Sequence, residues 1–309
     1  MSAPPFLSLP PGVRRLDIET ARGTFAALEA LPGSVAPERP PALLVPGFTG
    51  SKEDFIAVLP ALSDDGRRVI AIDQRGQYET PGPDDPAAYT CAALGADLAA
   101  LLDAIVPGGG PPQAGSARVH LVGHSFGGLV GREVVIAEPH RLASVTMMSS
   151  GPAAIGGAAA ERARALLAAL LQYEVAQIWD AYLGPEALAG GQPPEIVAFL
   201  RRRMLGNAPA GLAGMADELV RAPDRVHEMA KVLDDTGLPA LVLFGENDDV
   251  WPPLAQAEMA DRLSAGKVVI PGAAHSPAVE APEATASALT AFWTAAERSP
   301  APAARPPVD

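Results

Sequence analysis

A single cysteine, Cys91, stands in 309 residues, so no intrachain disulfide can form, and this residue is assigned no catalytic role. Basic residues are in the minority: 23 Lys and Arg face 36 Asp and Glu, for a formal net charge of −13. With no basic stripe anywhere, nucleic acid and anionic membrane are excluded as expected partners, and the acidity serves solubility. No apolar window reaches the roughly 18 residues of a membrane span. The first residues, MSAPPFLSLPPG, have neither a basic n-region nor an apolar h-region, so a soluble, cytoplasmic protein is the expectation. There is no internal repeat and no phosphate-binding G-x-x-x-x-G-K-[ST] spacing. Asp84-Asp85 reads as a solvated turn, and neither it nor Asp73 with Arg75 has metal-loop spacing, so neither cofactor nor metal is expected.

What is present is a chain 48% hydrophobic and 19% charged, enough for one large α/β domain with an insertion or for two small domains. Its most informative stretch runs from Arg118 to Arg132, RVHLVGHSFGGLVGR. An apolar strand, Val119 to Val122, enters a tight turn at Gly123-His124-Ser125-Phe126-Gly127, and a helix-compatible segment follows to Ala137. In the order strand, turn, helix, G-x-S-x-G reads as a nucleophile elbow. The flanking elements set it apart from a chance Gly-Ser-Gly loop. Strand and helix approach so closely that only small residues fit at Gly123 and Gly127. The turn lifts the Ser125 hydroxyl above the sheet and aims the Phe126 N–H at the place of a developing oxyanion.

Around this element, strands and helices alternate. Strands are expected at Val13 to Glu19 and Gly23 to Leu31, with a turn at Ala21-Arg22. Further strands fall at Ala42 to Val45, Arg68 to Ile72, Ser144 to Met148, Ala240 to Phe244 and Lys267 to Ile270. Lys52 to Leu62, Tyr89 to Val106 (closed by Pro107 and three glycines), Leu254 to Leu263 and Pro282 to Arg298 read as helices. Asp73 and Arg75 are expected to pair locally. Between Pro152 and Leu238 the alternation stops. Ala158 to Leu183, Pro194 to Leu205, Leu212 to Arg221 and Asp224 to Leu233 read as helices, which implies a helical cap, 152–238, inserted into a core of 1–151 and 239–298. Arg201-Arg202-Arg203 is read as a solvated helix face. Trp179, Tyr182 and Met204, with Tyr173, Phe199 and Met215, either line a pocket or form the cap's own core, and Trp251 is a further pocket candidate. The Pro/Ala-rich tail, 299–309, reads as disordered.

A serine needs a base, and the base an acid. Of the five histidines, His275 lies in a loop after a core strand, at the end of the sheet where Ser125 emerges. His124, beside Ser125, is expected to point away from the hydroxyl. Asp248 also lies in a loop after a core strand, with Asp249 and Glu246 as competitors. Gly47-Phe48 follows a strand and reads as the second half of an oxyanion hole, through the Phe48 N–H.

From Val13 to Arg298 the chain resembles the α/β-hydrolase superfamily, in its serine-hydrolase, esterase-like branch with a helical cap. The matching pieces are PGFTGS, GHSFGG, FGENDD and PGAAHSPAVEAPE. The resemblance implies a mostly parallel eight-stranded sheet flanked by helices, a triad of Ser125, Asp248 and His275, and oxyanion donors at Phe48 and Phe126. It favours Asp248, three residues after Gly245, over Asp249. Pro46 departs from the family, which usually has His there. The implied activity is cleavage of a carboxylic ester of a small to medium apolar molecule through an acyl-enzyme. An acyltransferase, a lactonase, a C–C bond hydrolase, a cofactor-free perhydrolase or a receptor-like binding relative would carry the same residues. Ser125 argues against epoxide hydrolase and dehalogenase, which generally use Asp.

Overall fold

The computed structural model describes residues 1–33, 39–106 and 118–298. The tail 299–309 and the Pro107-glycine stop lie outside the described residues. Eight strands form one sheet in the order β1-β2-β4-β3-β5-β6-β7-β8. They are β1 (Val13–Thr20), β2 (Gly23–Ala30), β3 (Ala42–Val45), β4 (Val69–Ile72), β5 (Val119–His124), β6 (Leu142–Met148), β7 (Ala240–Gly245) and β8 (Gly266–Ile270). β2 runs antiparallel to both of its neighbours; from β4 to β8 all pairing is parallel.

The central strands are near-continuous apolar runs because both of their faces are covered. Along β3, Leu43 and Val45 face one layer while Ala42 and Leu44 face the other. The first layer holds α2 (Cys91–Ile105) and α3 (Phe126–Ala137). The second holds the short α1 (Leu59–Ser63) and the closing α12 (Pro282–Arg298). Sheet order reverses between β3 and β5, so the loops leaving those strands meet in the crevice at the sheet's carboxyl edge.

Between β6 and β7 lie α4 (Gly157–Leu170), α5 (Val175–Ile178), a π-turn (Trp179–Leu183), α6 (Gly184–Ala189), α7 (Pro194–Gly206), α8 (Pro209–Arg221) and α9 (Val226–Thr236), with no strand among the described residues. After β7 come α10 (Pro253–Arg262) and α11 (Pro277–Glu280). Val175, Trp179, Ile196, Phe199, Leu200, Met204 and Leu212 form a separate apolar cluster within the insertion. α9 behaves differently: Val226, Met229 and Leu233 join the core layer, and the helix packs against α3 and α10.

Four sequence expectations are corrected. Lys52 to Leu62 is a 3-10 turn (Lys52–Phe55) followed by α1, because Pro60 cannot donate within a continuous helix. Ala158 to Leu183 breaks at Glu174, where a capping box with Gln177 starts α5. Asp73 and Arg75 do not pair: Asp73 takes Lys52 Nζ at 2.7 Å, whereas Arg75 Nε donates to Asp97 at 2.6 Å. In the arginine run only Arg201 and Arg202 face solvent. Arg203 is fully buried and donates to Asp54 at 2.7 Å, since a charge taken out of water needs a partner.

Candidate active site

Backbone strain concentrates at the carboxyl edge of the sheet. Thr49, Tyr78, Ser125 and Ser149, just beyond β3, β4, β5 and β6, all have positive φ without being glycine. Ser125 joins β5 to α3 at φ 54° and ψ −121°. Crowding dictates its neighbours. A Cβ on Gly123 would stand 2.3 Å from the Gly127 carbonyl oxygen, and one on Gly127 would stand 2.6 Å from the Pro46 oxygen. The Ser125 N–H donates to the Met148 carbonyl at 2.8 Å, which fixes the turn to β6.

The Ser125 hydroxyl donates to His275 Nε2 at 2.9 Å, and His275 Nδ1–H donates to Asp248 Oδ1 at 2.9 Å. The backbone N–H of Val250 also donates to Oδ1, and Gln256 Nε2 donates to Oδ2, each at 2.9 Å. Burial works against the charged form of Asp248, yet His275 and these donors hold its carboxyl below the usual range. Asp249 is exposed and faces Arg162 at 3.8 Å, while Glu246 accepts from the Gly272 N–H at 3.0 Å. Neither reaches His275. The histidine loop is held by Glu280, which accepts from the N–H groups of Ala274 and Ser276.

His124 Nδ1 and Ser125 Oγ both lie against Gly47, each 3.3 Å from where its Cβ would stand, and the His124 ring is not merely packed. Its Nε2–H donates to the His275 carbonyl at 2.8 Å, tying the elbow to the histidine loop. Burial, then the neighbouring His275, pushes its pKa down to about 4, so the ring stays neutral. Trp251 packs beside His275, ring centroids 6.3 Å apart, and its indole N–H donates to the Ala153 carbonyl at 3.1 Å.

The N–H groups of Phe48 and Phe126 have no protein acceptor among the described residues. Both residues lie beside Ser125, at the start of a turn and of a helix respectively. A cavity of about 500 Å³ opens over Ser125 and His275. Its walls include Phe48, Ile155, Leu166, Leu183, Met204 and Leu219, with Arg162, Glu186 and Asp249 among the charged lining. Of the cap candidates, Met204 borders the cavity. Trp179 is buried in the cap cluster and Tyr182 is 69% exposed; neither borders it, nor does Trp251. Tyr173 is exposed, Phe199 belongs to the cap cluster, and Met215 packs in the core layer.

Sequence reasoning missed Gln256, one turn into α10, because a glutamine on an amphipathic helix gives no signal. It also missed that residues 1–3 form part of the cavity wall; Arg203 holds them through the Ser2 carbonyl at 2.6 Å. Among the described residues no His, Cys, Asp and Glu cluster is arranged to hold a metal, and no helix is long and apolar enough to cross a membrane. Cys91 is buried, and desolvation pushes its thiol up.

Over 108 residues the chain is 39% identical to a protein of Variovorax paradoxus described as a carbamate hydrolase, which covers 35% of this chain and 37% of that relative. It is 27% identical to the proline iminopeptidase of Lactobacillus delbrueckii subsp. lactis over 79% of this chain and 87% of that one. The chain thus spans well under half the length of the first of these relatives. A solved structure of a hydrolase from Pseudomonas aeruginosa superposes with a TM-score of 0.68 at 27% identity, covering 90% of this chain and 98% of that one. Residues 42–288 match the Alpha/beta hydrolase family as a whole, and the chain belongs to that family.

Proposed function

We propose that the chain is a serine hydrolase that cleaves carboxylic esters of small to medium apolar substrates through an acyl-enzyme. The observation that carries this reading is the hydrogen-bonded series Ser125, His275, Asp248 at the floor of a largely apolar cavity. Ser125 gives its proton to His275 Nε2 as its oxygen attacks the ester carbonyl. The resulting oxyanion is held by the N–H groups of Phe48 and Phe126, and Asp248 stabilises the imidazolium. His275 returns the proton to the departing alkoxide, and the alcohol leaves. Water then gives a proton to His275 and attacks the acyl-serine. A second tetrahedral collapse releases the acid and restores Ser125.

A cavity of about 500 Å³ fits one small molecule rather than a polymer. Its wall is more apolar than polar, so selectivity is expected to rest on apolar contact, worth ~0.8 kcal/mol per buried CH₂. The relatives described for carbamate and peptide substrates use a carbonyl carbon as well, which makes amides the natural comparison. The test is a panel of p-nitrophenyl esters, thioesters, lactones and anilides of graded acyl length. Esters are expected to be turned over fastest, with kcat/KM rising gradually with chain length to an optimum. Preference for an anilide by a factor of ten or more, about 1.4 kcal/mol in the barrier, would replace the ester reading.

A further inference from the structure

The turn that carries Phe48 has no polar side chain at Pro46 or Gly47 with which to hold itself. Within the turn the Gly50 N–H donates to the Gly47 carbonyl at 3.1 Å, and two amides from the loop after β4 add the hold from outside. Gln74 Nε2 donates to the Pro46 carbonyl and Gln77 Nε2 to the Gly47 carbonyl, each at 2.9 Å. The two glutamines brace one another: the Gln74 N–H donates to Gln77 Oε1 at 3.2 Å, and the Gln77 N–H to the Gln74 carbonyl at 2.9 Å. Both side chains are buried. At the far end of the turn, the Lys52 N–H and Nζ donate to Asp73 at 2.8 and 2.7 Å, so one loop grips the turn at both ends.

A planar trans peptide points its C=O and its N–H in opposite directions. The Gly47 carbonyl and the Phe48 N–H share one such plane. Phe48 and Gly47 border the cavity, whereas Gln77 does not. Gly47 itself lies against the nucleophile: a Cβ there would stand 3.3 Å from Ser125 Oγ. Binding the carbonyl on the Gln77 side therefore turns the N–H towards the cavity.

We propose that Gln77, braced by Gln74, is the positioning residue that aims the Phe48 N–H at the oxyanion; this rests on the hydrolase reading above. An N–H directed at the tetrahedral oxygen acts on the transition state more than on bound substrate. Its loss is a loss of kcat and not of KM. The second N–H of the same amide faces Met215 Sδ of α8 at 3.9 Å, so the grip also touches the cap.

The test measures kcat and KM for p-nitrophenyl butyrate, and inhibition by an alkyl trifluoromethyl ketone, whose hemiketal oxygen takes the oxyanion's place. Gln77→Leu should lower kcat about 100-fold, leave KM within about twofold and weaken the ketone by about the same 100-fold. Gln77→Glu, which keeps size and polarity but opposes one acceptor with another, should lose at least as much and covers the case in which the leucine variant fails to fold. Gln74→Leu should shift both quantities in the same direction by less. Wild-type kcat and ketone affinity in either folded Gln77 variant, or a loss confined to KM, would overturn the proposal. Ser125→Ala in the same assay separates the two readings. If it still turns over the ester, the hydrolase reading falls and this one with it. An inactive Ser125→Ala beside a fully active Gln77→Leu removes the Gln77 role alone.

Discussion

Both carboxylate oxygens of Asp248 are committed: Oδ1 to His275 and the Val250 N–H, Oδ2 to Gln256. Asp249, its neighbour in sequence, is exposed and faces Arg162. The two are chemically alike and differ only in where one peptide step points the side chain. On the proposed mechanism, Asp248→Asn should lower kcat by about 10⁴-fold, because an amide no longer holds the imidazole tautomer, while Asp249→Asn should stay within about twofold. Gln256→Leu frees Oδ2 to rotate, and a displaced carboxylate should cost between about 10- and 100-fold in kcat. Steady-state kinetics on folded variants checks all three, and Asp249→Asn as the most damaging change would move the acid by one residue. At this scale the four loop motifs made Ser125, Asp248 and His275 legible, since each follows a core strand. Gln74, Gln77 and Gln256 were not legible. Their roles arise from contacts between loops distant in sequence, and a glutamine carries no signature of its own.

Helix α7 shows how a cap element divides its labour. Phe199 and Leu200 fill the cap cluster, Arg203 is buried against Asp54 and the Ser2 carbonyl, and Met204 reaches the cavity wall. Trp179 also belongs to the cluster, and Tyr182 lies outside it in water. Trp179→Ala should destabilise the protein by about 3 kcal/mol through the cavity it leaves. Tyr182→Ala should change neither stability nor selectivity. Met204→Ala should move the optimum of the ester series towards longer acyl chains. Urea unfolding and the ester series read these effects; an unmoved optimum in Met204→Ala would mean that α7 does not shape the pocket. Strands were read well because fully buried parallel strands are uninterrupted apolar runs, as in Ala42–Val45 and Val69–Ile72. The last three cap helices match the expected spans to within about three residues at each end, whereas the first is shorter than expected. Nothing in the apolar spacing of Ala158 to Leu183 marks a break, and the capping pair Glu174 and Gln177 was the only local signal. Arg203 looked like its two exposed neighbours because the buried carboxylate it meets lies 149 positions away.

Across the whole molecule, titratable groups shift in opposing senses: burial raises the Asp73 carboxyl to about 7, whereas His120, His124 and Glu297 lie below their ordinary values. Burial lowers the pKa of His120 from the ordinary 6.5, against the opposing pull of Glu297, and takes His124 down to about 4. Burial acts to raise Glu297, but hydrogen bonds from His120 and Arg67 bring it below the ordinary 4.5. As pH falls below 6.5, the unfolded chain protonates both histidines while the folded one keeps them neutral. The unfolded state then binds more protons, so stability is present above this window and lost within it. Below 4.5 the unfolded chain protonates Glu297 first, with the same sign. The His124 shift alone, from 6.5 to about 4, corresponds to ~3 kcal/mol. Asp73 acts with the opposite sign, because the folded chain takes up its proton first as pH falls through 7. Urea unfolding from pH 7.5 to 4.5 should therefore show less stability lost on acidification in His124→Gln than in the wild type, and an equal loss in both would contradict the His124 contribution. The net charge of −13 was visible in the sequence; these burials were not, because His120 meets Glu297 across 177 positions.

Ser125, the proposed nucleophile of an acyl-transfer site, is tested most directly by covalent capture. The protein is treated with diethyl p-nitrophenyl phosphate and the adduct is mapped by peptide mass spectrometry. One diethylphosphoryl group per chain is expected, on Ser125, with p-nitrophenol released in equal amount, and no adduct in Ser125→Ala or His275→Ala. An unmodified Ser125 in folded wild-type protein, or the same adduct in Ser125→Ala, would contradict that role.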